Sequence, residues 1–159
     1  MKRLATTKSN TLLHKGGIFL GKDSQSAFQF SNPAMIEVHF VIHKDFNTED
    51  MGNELETPIQ VMFPPPSTIE TQSNSVAAQL TVEIGRDDST FPFFLSVTMG
   101  ADFRWDETLP EEMVKQMLSR NAPMLLLAYA RPLVAQMTGS SPVGPVHIPF
   151  LNFLQQDDR

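Results

Sequence analysis

The chain contains no cysteine, which excludes disulfides, thiolate nucleophiles and cysteine-ligated zinc. It has no surplus of positive charge either: 12 Lys and Arg stand against 18 Asp and Glu, for a net charge of −6. That balance argues against nonspecific nucleic-acid binding. No apolar run approaches the roughly 18 residues of a membrane-spanning helix. The start is basic, but no sustained apolar segment or small-residue cleavage pattern follows it, so no signal peptide is expected. These absences predict a soluble cytoplasmic protein.

Catalytic signatures are missing as well. Gly16-Gly-Ile-Phe-Leu-Gly21-Lys22 nearly matches a phosphate-cradling loop, but the position that should offer a magnesium-binding hydroxyl is Asp23, whose carboxylate would repel a phosphate. His39 and His43 are four apart; on a strand that places them about 13 Å from each other, too far to share a metal ion. Ser140-Ser141 sits among turn residues without a nucleophile's usual helpers. Glu37 and Glu83 project from strands with no acid–base partner in view. Arg131 falls within an apolar helix and needs a carbonyl or carboxylate partner there. The sequence therefore predicts no enzyme, no cofactor and no metal.

Apolar surface is what the chain does have. Phenylalanine (12) and methionine (9) are frequent, whereas tryptophan and tyrosine occur once each. Polarizable, easily repacked Met and Phe surfaces suit partners of varied sequence. Residues 1–15 read as a solvated basic arm, with Lys2, Arg3, Lys8 and Lys15 and no interleaved aromatics. Residues 18–30 predict a strand pair or one interrupted strand. Met35 to Lys44 predicts a strand with Ile36, Val38, Phe40 and Ile42 on one face. Residues 45–75 read as an insertion or long loop that ends in Pro64-Pro65-Pro66 and could hide an edge strand from Ile59 to Phe63.

Val76 to Ile84 and Phe91 to Phe103 alternate strictly and predict an antiparallel hairpin turning at Gly85–Ser89. Phe93 and Phe94 are adjacent on the second strand and must face opposite ways, so both faces of the sheet need a cover. Thr108 and Glu111 have the spacing of a capping box before a short helix. Met124 to Met137 then places Leu126, Tyr129, Ala130, Leu133, Val134 and Met137 on one face of an apolar helix, with Asn121 as a candidate cap and Gly139 as its close. Strands first and helices last predict one α+β domain over residues 1–159.

The stretch Asn121–Phe153 also carries a resemblance. Ala122-Pro123, Leu125-Leu126, Tyr129-Ala130-Arg131 and the late Pro149 with Asn152-Phe153 resemble the bacterial export chaperone SecB family. Its members show a C/A-P-x-x-L-x-P-Y-A-R helix followed by a loop ending in P-x-N-F. The similarity runs back through the strands to about Val76, roughly half the chain.

The resemblance implies a SecB-like four-stranded antiparallel sheet with a long broken C-terminal helix on one face, assembled as a homotetramer (a dimer of dimers). It implies an ATP-independent holdase for unfolded polypeptides or preproteins, handing them to the translocase motor SecA. Carried over by position, the client-binding residues would be Phe93, Val97, Tyr129 and Phe153. Several positions depart from the pattern. Ala128 replaces the family's proline, and Pro132 is expected to kink the helix instead. Ser96 stands where the family places an acidic motor-docking residue. The family continues into a second helix and an acidic tail, whereas the sequence ends six residues beyond Phe153. A dedicated partner-binding module, such as an antitoxin-guarding chaperone, and a small apolar-ligand carrier are the alternatives.

Overall fold

The computed structural model describes residues 27–47, 56–64 and 74–153. Its elements run β1 (Phe28–Phe30), β2 (Ala34–Ile42), β3 (Ile59–Met62), β4 (Ser75–Gly85), β5 (Phe93–Trp105), α1 (Glu111–Gln116) and α2 (Ala122–Thr138). The five strands form one antiparallel sheet in four positions, because β1 and β2 lie end to end along the same edge of β5. The chain breaks between them at Pro33, which has no N–H for a ladder. Ser31 bridges the gap: its amide donates to Asp102 O at 2.8 Å, and its hydroxyl accepts from the Asp102 amide at 3.0 Å.

The predicted β4–β5 hairpin forms in antiparallel register, with Leu80 opposite Met99, Val82 opposite Val97 and Ile84 opposite Leu95. Strict alternation sends all six of these side chains to the face covered by α2, where each is at most 2% exposed. From α2, Leu126, Leu127, Ala130 and Val134 seal that core from above. Each of the larger side chains among these, Ala130 excepted, contributes roughly 1.5–3 kcal/mol by leaving water. The opposite sheet face carries Gln79, Thr81, Glu83, Ser96 and Thr98. It is polar, and the Thr81 and Thr98 hydroxyls bond across the strands at 2.9 Å. On that face Phe94 is half-buried, with its ring 6.1 Å from that of His39.

β2 departs from the expected pattern. A bulge between Met35 and Glu37 puts Met35, Val38, Phe40 and Ile42 in register with Met99, Val97, Leu95 and Phe93. Ile36 is thrown to the other face, onto the space above Gly100. Among the described residues β2 is an edge strand and stays largely uncovered, and Met35, Ile36, Val38 and Ile42 are all exposed. The suspected edge strand in the 45–75 stretch is β3, which pairs with β4 from Ile59 to Met62. Residues 1–26, including the basic arm and the glycine-rich stretch, lie outside the described residues, as do 48–55, 65–73 and 154–159.

The helix junction is continuous rather than capped. Asn121 is in right-handed helical conformation and makes no side-chain cap bond, which corrects its expected role. Between α1 and α2 the chain makes a π turn, Met117–Asn121, in which the Ala122 amide donates to Met117 O. Pro123 supplies a reason: it has no N–H for Ser119 O, and its ring would crowd that carbonyl in a tight α turn. The turn also corrects phase. Val114, Leu118, Ala122, Leu126, Ala130, Val134 and Thr138 are all buried at steps of four. Each step overshoots an α-helical turn by about 40°, and a wider turn takes up part of that drift. α2 continues through Pro132 to Thr138.

The capping box does not form either. The Thr108 amide and hydroxyl both bond Asp106 Oδ1, at 2.9 and 2.7 Å, while Glu111 pairs with Lys115 at 2.9 Å. Beyond Gly139 the chain returns along the helix. The buried Thr138 hydroxyl donates to Val134 O at 2.7 Å and accepts from the Val146 amide at 2.8 Å. Arg131 finds the carbonyl partner it needed, donating to Pro149 O at 2.9 Å, and its guanidinium lies 5.1 Å from the centre of the Phe150 ring.

Candidate functional site

The residues predicted to contact a client are not brought to one surface. Phe93 and Val97 are fully buried beneath the helix, and Phe153 is 9% exposed where the returning segment packs on the core. Phe93 also makes edge contacts with Phe91 and Phe40. Only Tyr129, at 45%, presents itself to solvent. A ligand would reach the other three only if the helix or the returning segment moved.

An open apolar cleft lies elsewhere, between β1 and the π turn. Its floor is phenylalanine: Phe28 and Phe30 on β1 stand 5.8 and 6.4 Å from Phe103 on β5, with rings tilted. Register explains the cluster, because Phe30 pairs with Phe103 and Phe28 with Trp105, so all four side chains share the helix-side face. Leu125 and Met124 at the start of α2 and Met117 from the π turn form the opposite wall. The cleft encloses about 550 Å³, within the range of roughly 300–1,000 Å³ typical of ligand sites. Phe30 (46%) and Met124 (55%) are exposed at its mouth, and Phe103 is buried at its base.

Among the described residues, no charged side chain lines the cleft, and its one polar lining residue is Asn121. The π turn supplies both Met117 and Asn121, so the same irregularity that keeps the core in phase shapes this wall. The perturbed ionisable groups stand outside the lining. Hydrogen bonds from Thr108 hold the Asp106 carboxyl below the usual carboxylate range. Hydrogen bonds from Thr90 do the same for Asp88. The hydrogen bond and charge of Lys115 lower Glu111, and Lys115 is raised in return. Such a lining can bind apolar groups by desolvation and shape, and offers one amide for hydrogen bonding.

The chain is similar in structure to the SecB-like chaperone Rv1957 of Mycobacterium tuberculosis, solved in complex with a ChAD peptide from the Rv1956 HigA1 antitoxin. The match has a TM-score of 0.58 at 13% identity and covers 78% of this chain and 90% of that one. The fold is SecB-like. A protein of unknown function from Streptococcus agalactiae is also similar, with a TM-score of 0.46 and 16% identity over 77% of this chain and 97% of that one. No protein-family model and no curated sequence matches the chain. Among the described residues, no helix is long and apolar enough to cross a membrane.

Sequence reasoning missed the cleft residues. Phe28-Gln29-Phe30 and the Met117–Leu125 stretch were visible as apolar pieces. Nothing in the spacing linked them to Phe103, which only the β1–β5 register brings alongside.

Proposed function

We propose that this chain is a chaperone-like polypeptide-binding protein that takes up apolar segments of a partner without nucleotide or metal. The observation that carries this reading is the uncharged cleft of Phe28, Phe30, Phe103, Met117, Met124 and Leu125 on a SecB-like scaffold. The peptide bound by the Mycobacterium neighbour supports a polypeptide as the ligand class. Binding is passive: bulky side chains of the partner leave water for the cleft, and the extended backbone runs across its mouth. Phe93, Val97 and Phe153 would join the site only in a conformation that lifts the helix or the returning segment, whereas Tyr129 is available as it stands.

The broader form of the reading is a holdase for unfolded polypeptides or preproteins, with delivery to SecA as its export version. Stoichiometric addition, without ATP, should suppress aggregation of a chemically denatured model enzyme; unchanged light scattering would sink this form. A second form is a dedicated partner-binding module, favoured by the antitoxin peptide on the neighbour. It predicts one tight partner in a pull-down and little general holdase activity. For either form we propose assembly into a homotetramer. The uncovered apolar edge strand β2, with Met35, Val38 and Ile42 exposed, supports a subunit contact. Light scattering should give the tetramer mass, and a monomer would exclude that assembly.

A further inference from the structure

We propose that Asn121 reads the backbone of the bound polypeptide and so makes recognition in the cleft independent of sequence. The inference rests on the polypeptide-binding reading above and goes beyond it to the residue that pairs with the ligand's backbone. Among the described residues, Asn121 is the one polar residue lining an otherwise apolar cleft. It is exposed, and its amide is not spent on the helix it precedes: α2 receives no side-chain cap bond from it. No other side-chain hydrogen bond engages it among the described residues.

A carboxamide carries one acceptor and two donors, the complement of a peptide group's N–H and C=O. A charged lining would select ligands by sign, and hydroxyls alone would give weaker geometric constraint. A single free amide beside a phenylalanine floor and methionine walls suits a different ligand. That ligand is an extended segment whose bulky apolar side chain enters the cleft while an adjacent peptide unit pairs with Asn121. Because every residue has that peptide unit, the contact adds affinity without choosing a sequence. The polarizable Met117 and Met124 adapt to whichever side chain arrives.

The π turn places this amide. Asn121 is its last residue and Met117 its first. The turn therefore presents the amide and one apolar wall together.

The test is a thermodynamic cycle on the full chain. The probe is a short labelled peptide with a central Leu-Phe-Leu in a Ser-Gly background, alongside versions N-methylated at each peptide nitrogen next to the central Phe. The variants are the wild type and Asn121→Leu. Leucine favours helix over asparagine, so this variant should remain folded, as far-UV circular dichroism will verify.

Wild type should bind the parent peptide, and N-methylation at one of these nitrogens should weaken binding about three- to tenfold, the worth of one net hydrogen bond. Asn121→Leu should bind the parent weaker by a similar factor and lose the N-methyl penalty, the non-additivity expected of directly coupled groups. Equal or tighter binding by Asn121→Leu, or a penalty that persists in it, overturns the role of Asn121 while leaving the cleft as a peptide site. Failure of the wild type to bind the parent peptide removes the polypeptide-binding reading itself.

Discussion

Truncating Phe30 to alanine should separate binding from folding. Phe30 is 46% exposed at the mouth of the cleft. A phenylalanine side chain offers roughly 150–250 Å² for contact, which leaves about 70–115 Å² of this one for a ligand to cover. At about 25 cal/mol per Å², that area is worth about 2–3 kcal/mol. The costs of ordering a ligand absorb part of it, so the expected loss of affinity is about tenfold or somewhat more. Phe93 makes the contrast, since it is fully buried and its ring centre lies 5.3 Å from that of Phe91 and 6.0 Å from that of Phe40.

Phe93→Ala should therefore cost about 3–5 kcal/mol of stability, from lost transfer energy and an unfilled cavity. In its folded fraction the affinity should be unchanged. Fluorescence anisotropy with the labelled Leu-Phe-Leu peptide reads binding, and urea unfolding reads stability. Wild-type affinity in a folded Phe30→Ala variant would refute the assignment of the cleft. Loss of binding by Phe93→Ala, under conditions where it is fully folded, would move the site beneath the helix.

Other predictions follow from single contacts. Thr138→Val removes the hydroxyl shared by Val134 O and the Val146 amide and leaves that amide without its partner. The cost should be about 1–3 kcal/mol, with faster hydrogen exchange at Val146. Gly85 has φ +84, and an added Cβ would collide with the Phe93 carbonyl oxygen. Gly85→Ala should thus destabilise by more than 1 kcal/mol or so in urea unfolding. Gly100→Ala should cost less, since its added Cβ meets side chains and no backbone: closely the exposed Ile36, and Gln79 at ordinary contact distance. The Asp106 carboxyl is held below its ordinary range by Thr108, so its native pKa lies under its unfolded one. Its stabilising contribution is therefore complete above about pH 4 and is lost as pH falls through the native value. The Thr108 amide resonance should follow that titration, and Thr108→Ala should bring the Asp106 pKa back toward the ordinary carboxylate value.

The parts of the fold that were legible in the sequence are those governed by local alternation. Leu80, Val82 and Ile84 against Leu95, Val97 and Met99 announced the hairpin, because strict period two gives each strand one continuous apolar face. β2 was legible as a strand but not in its facing. Ile36 and Val38 are both apolar, so no pattern could reveal that a bulge separates them. Asn121-Ala-Pro123 reads as a stop and a fresh start, yet the chain passes through it as a π turn, because Leu118 and Ala122 must both reach the core. Thr108 and Glu111 had capping-box spacing, but Asp106 and Lys115 offered each a closer partner.

The site was less legible still. The resemblance pointed to Phe93, Val97, Tyr129 and Phe153 on the long hairpin, the helix and its return. The open cleft is assembled from β1, the far end of β5 and the π turn, and β1 lies far before the other two in the chain. Its signal lies in which residues remain uncovered after folding, and Phe30 and Met124 differ from their buried neighbours only in that respect.

The most direct test of a polypeptide-binding cleft needs no mutation. The chain has nine methionines, and methyl-labelled NMR spectra can follow them individually as the Leu-Phe-Leu peptide is added. The account predicts saturable shifts at Met117 and Met124, which wall the cleft, with Met62 on β3 and Met137 near the end of α2 unmoved. Shifts centred on Met62 or Met137, or none at Met117 and Met124 while the peptide demonstrably binds, would contradict it.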